Sequence, residues 1–67
     1  MRIDRVKFAA ALARADLNGI QLAEKASVSR GTVTAVRTGK SCSMETAEKL
    51  AAGLGVTVAE IIEKKEA

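Results

Sequence analysis

A chain of 67 residues with a net charge of +3, no histidine, no proline, one cysteine and one aromatic residue bounds what the molecule can be. At this length it forms one domain over residues 1–67, and such a chain buries only about 60% of its unfolded surface, so a large enzyme cleft is not expected. Cys42 has no partner for an internal disulfide, the ligand set of a structural zinc site is missing, and the longest apolar run, Phe8 to Ala13, falls far short of the roughly 20 residues that span a bilayer.

The first element is a helix from about Asp4 to Ala15. Asp4 can cap it, Ile3 and Phe8 are placed as a hydrophobic staple, and the alanines at 9, 10, 11, 13 and 15 favour propagation. Val6, Ala10, Ala13 and Leu17 recur at near-helical spacing, flanked by Phe8 and Leu12, which predicts a buried side. Asn18 with Gln21 forms a capping-box-like pair ahead of a short second helix, GIQLAEKA, whose Leu22, Ala23 and Ala26 face inward. The methyl side chain of Ala23 suits close approach of a neighbouring helix, or simply favours helix.

The stretch SVSRGTVTAVRTGK is ambiguous, because Thr32, Val33, Thr34, Val36 and Thr38 lean toward strand by propensity. Three features choose helix. The Ser29 hydroxyl can accept from first-turn amides, Gly39 offers a left-handed stop, and Val33 and Val36 share a face at helical but not at strand spacing. Such a helix is held by packing rather than by propensity. Ser43 caps a fourth helix, METAEKLAAGL, which Gly55 ends. Thr57 with Glu60, and Val56 with Ile61, then predict a capped and stapled fifth helix. The residues from 63 to 67, EKKEA, read as a solvated, fraying tail.

Charge is unevenly placed. Between Lys25 and Met44 stand Lys25, Arg30, Arg37 and Lys40 with no acid, whereas from Glu45 onward five acids outnumber three lysines. A polyanion is the natural partner of the middle window; a solvated cationic surface is the alternative.

From Leu17 to Ile62, the stretches LNGIQLAEKASVS, VTAVRTGK and SMETAEKLAAGLGVTVAEII resemble the helix-turn-helix domain of the Cro and phage-repressor family, also called the XRE family. The resemblance implies an all-α, compact five-helix bundle of the lambda-repressor-like DNA-binding type. The second and third helices form the helix-turn-helix, and the third (about residues 30–37) enters the major groove of double-stranded DNA. By position, Ser29 and Arg30 match the family's leading contact sites. Arg30 is the candidate for direct readout, since guanidinium can bond twice to a guanine edge; contact with a phosphate, or no contact, is the alternative. Thr34 and Ala35 lie further along the same side, where a methyl can pack on thymine or merely act as a spacer.

Asn18, Thr38 and Lys40 match positions that commonly hold phosphates, with capping alone the alternative for Asn18 and a solvated cation for Lys40; Gly31, where relatives often carry a polar side chain, suits close backbone approach. Three departures stand out. Gly19 replaces a frequent glutamine, leaving only the backbone of that first turn for contact. Ser27 replaces the usual turn glycine, so it is either left-handed at a cost of about 1 to 2 kcal/mol or the turn is reshaped. Leu12 and Arg37 occupy the positions of an arginine–glutamate pair found in some repressors, so Arg37 is left to reach phosphate or another acid.

The expected function is a sequence-specific DNA-binding transcriptional regulator, a small Cro- or repressor-like protein acting in the cytoplasm as a homodimer, with dimer formation only on DNA as an alternative. The rival is a helical protein-interaction module, antitoxin-like or anti-regulatory, on the same scaffold. Catalysis has no obvious carriers, and no cofactor, metal, membrane or small-molecule ligand is indicated. Single-stranded nucleic acid is disfavoured, because Phe8 is the only aromatic residue and reads as core. Cys42 reads as an incidental small residue. A separate dimerisation or ligand-sensing domain is not expected, and Val58, Ile61 and Ile62 are assigned either to a dimer contact or to the core.

Overall fold

A computed structural model describes residues 2–63. Its elements are α1 (Arg5–Ala15), α2 (Gly19–Ala26), α3 (Arg30–Arg37), α4 (Met44–Leu54) and a 3-10 turn at Val58–Glu60. Each α-helix starts where a side chain satisfies amides that have no partner within the helix. Asp4 Oδ1 accepts from Val6 and Lys7 at 2.9 and 3.1 Å. Asn18 and Gln21 cap each other at 2.8 and 3.0 Å. Ser29 Oγ accepts from Thr32 and Ser43 Oγ from Thr46, both at 3.1 Å.

One core fills the space between the helices. Ile3, Phe8, Leu22, Val33, Val36, Leu50 and Ile61 are its fully buried large side chains. The buried valines explain why the β-branched segment is helical: both point inward from α3, and this burial outweighs the propensity deficit. Helix α2 packs against both α3 and α4. Its approach to α4 is close at Gly53, where a Cβ atom would lie 3.0 Å from both Ala26 Cβ and Leu22 Cδ1. The small side chain of Ala23 drew attention to that position, which is buried, but not to Gly53.

Two expectations are corrected. The buried face of α1 is not the one centred on Val6, Ala10 and Ala13, all of which are exposed; it carries Phe8, Ala11 and Leu12. Several apolar stripes fit an alanine-rich helix, and the largest side chain, Phe8, decides which one turns inward because it removes the most apolar area from water.

The fifth helix is also absent. After Thr57, whose N–H donates to Glu60 Oε2 at 2.7 Å, the chain makes a single 3-10 turn and then extends. Val56, Thr57, Val58, Ile61 and Ile62 are β-branched and lose side-chain freedom in a helix. The extended chain is captured instead by the other end of the molecule: Ile62 bridges Ile3 antiparallel, Asp4 N donates to Ile61 O at 2.8 Å and Glu63 N to Arg2 O at 2.9 Å. Ile61 is fully buried and therefore belongs to the core, while Ile62 and Val58 are half-buried. Of the expected tail, Glu63 donates its N–H to Arg2 O, and residues 64–67 lie outside the described residues.

Ser27 accepts the left-handed conformation, with φ 58° and ψ 42°, and so keeps the turn unreshaped. That strain is removable. The Ser27→Gly variant is expected to gain about 1 kcal/mol, since glycine carries no penalty there. Urea titration would show a higher midpoint at unchanged slope, and an unchanged or lower midpoint would contradict the strain.

Candidate nucleic-acid interface

The turn between α2 and α3 is set by local bonds. Ser27 N donates to Glu24 O at 3.3 Å and Val28 N to Ala23 O at 3.0 Å, closing α2, and Ser29 then opens α3 immediately. With Leu22, Ala23 and Ala26 buried on one helix and Val33 and Val36 on the other, the opposite side of α3 is left to solvent. Arg30, Thr34 and Arg37 lie on that side at spacings of four and three, and all three are exposed. Together with Asn18, Gly19, Ile20 and Val33 they line a shallow crevice between α3 and the start of α2. No acidic residue lines it.

The remaining expected contact residues fall around this crevice and beyond it. Asn18 uses its oxygen to cap α2, which leaves the two N–H donors of its amide without a partner among the described residues. The Ser29 hydroxyl is engaged by Thr32, through its N–H and through a 2.8 Å bond to Thr32 Oγ1. Gly31 faces open space: a Cβ atom there would meet nothing closer than Ser29 Oγ at 3.9 Å, so the fold itself does not demand glycine. Ala35 is half-buried, unlike its exposed neighbour Thr34. Thr38 is exposed but donates its hydroxyl to Ala35 O at 2.9 Å, closing α3. Gly39, at φ 92°, takes the left-handed stop, and the exposed Lys40 follows it with its N–H on Ala35 O at 3.0 Å. Arg37 has no acidic partner among the described residues.

Two further cations join the end of α3. Arg2 donates through Nε and Nη2 to Gly39 O at 3.3 and 3.0 Å, and the Arg5 side chain lies along the same glycine. Their positions, far away in sequence, carry no local signal of this proximity. The bridge between Ile3 and Ile62 and the packing of α1 on α3 bring them to Gly39, the residue before Lys40. The acid-free window of the sequence is therefore not the whole of the positive surface, although Asp4 and Glu63 also border that corner.

Cys42 is half-buried, and burial raises its thiol above the ordinary value. It stays protonated at neutral pH, which makes it a weak nucleophile. Among the described residues, no helix is long and apolar enough to cross a membrane.

A capped helix, a tight left-handed turn and a second capped helix with an exposed basic face make up the motif on which the comparison with known families falls. A family model described as helix-turn-helix matches residues 8–61. The chain belongs to the helix-turn-helix family. No curated protein and no solved structure matches it. The matched span of this helix-turn-helix protein begins at Phe8 and ends at Ile61, two of the fully buried side chains, so it takes in nearly the whole core. Membership makes the chain a DNA-binding domain of the Cro and repressor type.

Proposed function

We propose that this helix-turn-helix protein reads the sequence of double-stranded DNA and regulates transcription by occupying its site, with α3 in the major groove. The observation that carries the reading is the exposure of Arg30 on the first turn of α3, free of any ion pair among the described residues and beside a crevice without acids. Its guanidinium fork suits the O6 and N7 acceptors of guanine. Thr34, half-covered Ala35 and Ser29 supply further contacts to base edges, while Asn18, Arg37, Thr38 and Lys40 serve phosphates. Gly31 lets the backbone come close, and Gly19 leaves the start of α2 without a side chain of its own.

Selection of preferred duplexes from a random pool, followed by anisotropy titration and mass measurement of the bound species, tests this reading. A selected duplex bound more tightly than a scrambled one, by two copies of the chain, is the expected result. Equal affinity for both would overturn sequence reading. Lys40 gives a second check. Lys40→Ala is expected to weaken every duplex alike and to flatten the plot of log K against log salt by about 0.9, the value of one phosphate. A loss confined to the selected duplex would move Lys40 from phosphate to base.

The rival is a protein-interaction module on the same scaffold. The bare Gly31, which the fold does not require, favours it because a contacting side chain is missing there. No anisotropy response at low salt up to about 10⁻⁴ M duplex, the weak limit of non-specific binding, would decide for it.

A further inference from the structure

Gly19 and Arg37 meet across the crevice. A methyl group built on Gly19 would lie 3.2 Å from Arg37 Nη1 and 3.4 Å from Val33 Cγ1. Gly19 needs no special backbone conformation, since its φ is not positive, and its surroundings are otherwise open. What the missing side chain provides is room. Into that room the last residue of α3 folds its guanidinium back over the first residue of α2, with no acid to hold it there among the described residues.

We propose that Gly19 and Arg37 act as one unit: the glycine positions the Arg37 guanidinium over the start of α2, where it takes a backbone phosphate of bound DNA. The cation thus stands in space where a polar side chain at position 19 would otherwise reach, and the contact is supplied by α3 instead of α2. Gly19 is a positioning residue and Arg37 makes the contact. A planar fork with several donors suits a phosphate, and an unpaired guanidinium avoids the loss of affinity that breaking an internal ion pair would bring. The inference rests on the DNA-binding reading above.

A double-mutant cycle on the selected duplex, titrated across a salt series, tests it. Arg37→Ala flattens the salt dependence by about 0.9, and Arg37→Lys keeps most of it because the charge remains. Gly19→Ala forces the guanidinium to give by a few tenths of an ångström and is expected to weaken binding in the natural background, yet to change nothing further when combined with Arg37→Ala; the two deviate from additivity by about twofold or more. Thermal melts of all variants stay close to that of the parent, since Arg37 is exposed and the added methyl meets chiefly the end of a flexible side chain. An unchanged salt slope for Arg37→Ala, or equal cost of Gly19→Ala in both backgrounds, overturns the unit while leaving DNA binding intact. Failure of the parent protein to bind any duplex overturns both.

Discussion

Arg30→Ala is expected to cost about 1 to 3 kcal/mol of binding to the preferred duplex while leaving binding to scrambled DNA almost unchanged, the value of one two-pronged contact with guanine. The asymmetry follows from where the residue stands. Arg30 is the first residue of α3 and exposed, so its removal disturbs neither the Ser29 cap nor the buried valines. The loss therefore appears as discrimination, not as stability. Arg30→Lys separates shape from charge, because lysine keeps the positive charge but presents no fork. It is expected to retain binding to scrambled duplex and lose most of the preference. If alanine lowers both affinities equally, Arg30 touches phosphate and the base-reading role passes elsewhere along α3.

Phe8→Ala is expected to have the largest effect on the fold. Removing a buried phenylalanine costs about 3 to 5 kcal/mol. A domain of this size holds about 3 to 10 kcal/mol in total, so the variant loses much or all of its folded population. Phe8 is 1% exposed and belongs to the same buried cluster as Ile3, Leu22, Leu50 and Ile61, so it ties α1 into the core as the one aromatic side chain of the sequence. Circular dichroism with urea titration measures the effect. Val6→Ala is the matched control on the same helix. At 78% exposure its loss should stay within about 0.5 kcal/mol, and a large loss would mean that α1 is turned the other way.

That control marks the limit of what periodicity reveals. The caps were legible because each is a local bond between residues two or three apart: Asp4, Asn18, Ser29 and Ser43 all act as their types suggest. The helical state of α3 was legible from the spacing of Val33 and Val36, against propensity. The rotation of α1 was not, because alanines fit either side and only the volume of the core selects one. The extended end was not legible either. Thr57 and Glu60 do cap a turn, but its continuation is decided by pairing with residues at the opposite end of the chain, which no local pattern reports.

The site divides along the same line. Arg30, Thr34 and Lys40 are exposed as expected from their places on or just after α3. The nearness of Arg37 to Gly19, and of Arg2 and Arg5 to Gly39, depends on how helices and ends meet in space.

The antiparallel clasp between Ile3 and Ile62 carries a consequence for how the molecule assembles. Helices α2, α3 and α4 follow one another along the chain and can collapse together early, whereas the clasp must bring in two distant segments and bear the entropy of closing the entire ring. The clasp is therefore expected to form late and to open before the helices part, a difference that amide hydrogen exchange at Asp4 and Glu63 would show, and its opening would free the arginine bonded to Gly39 O.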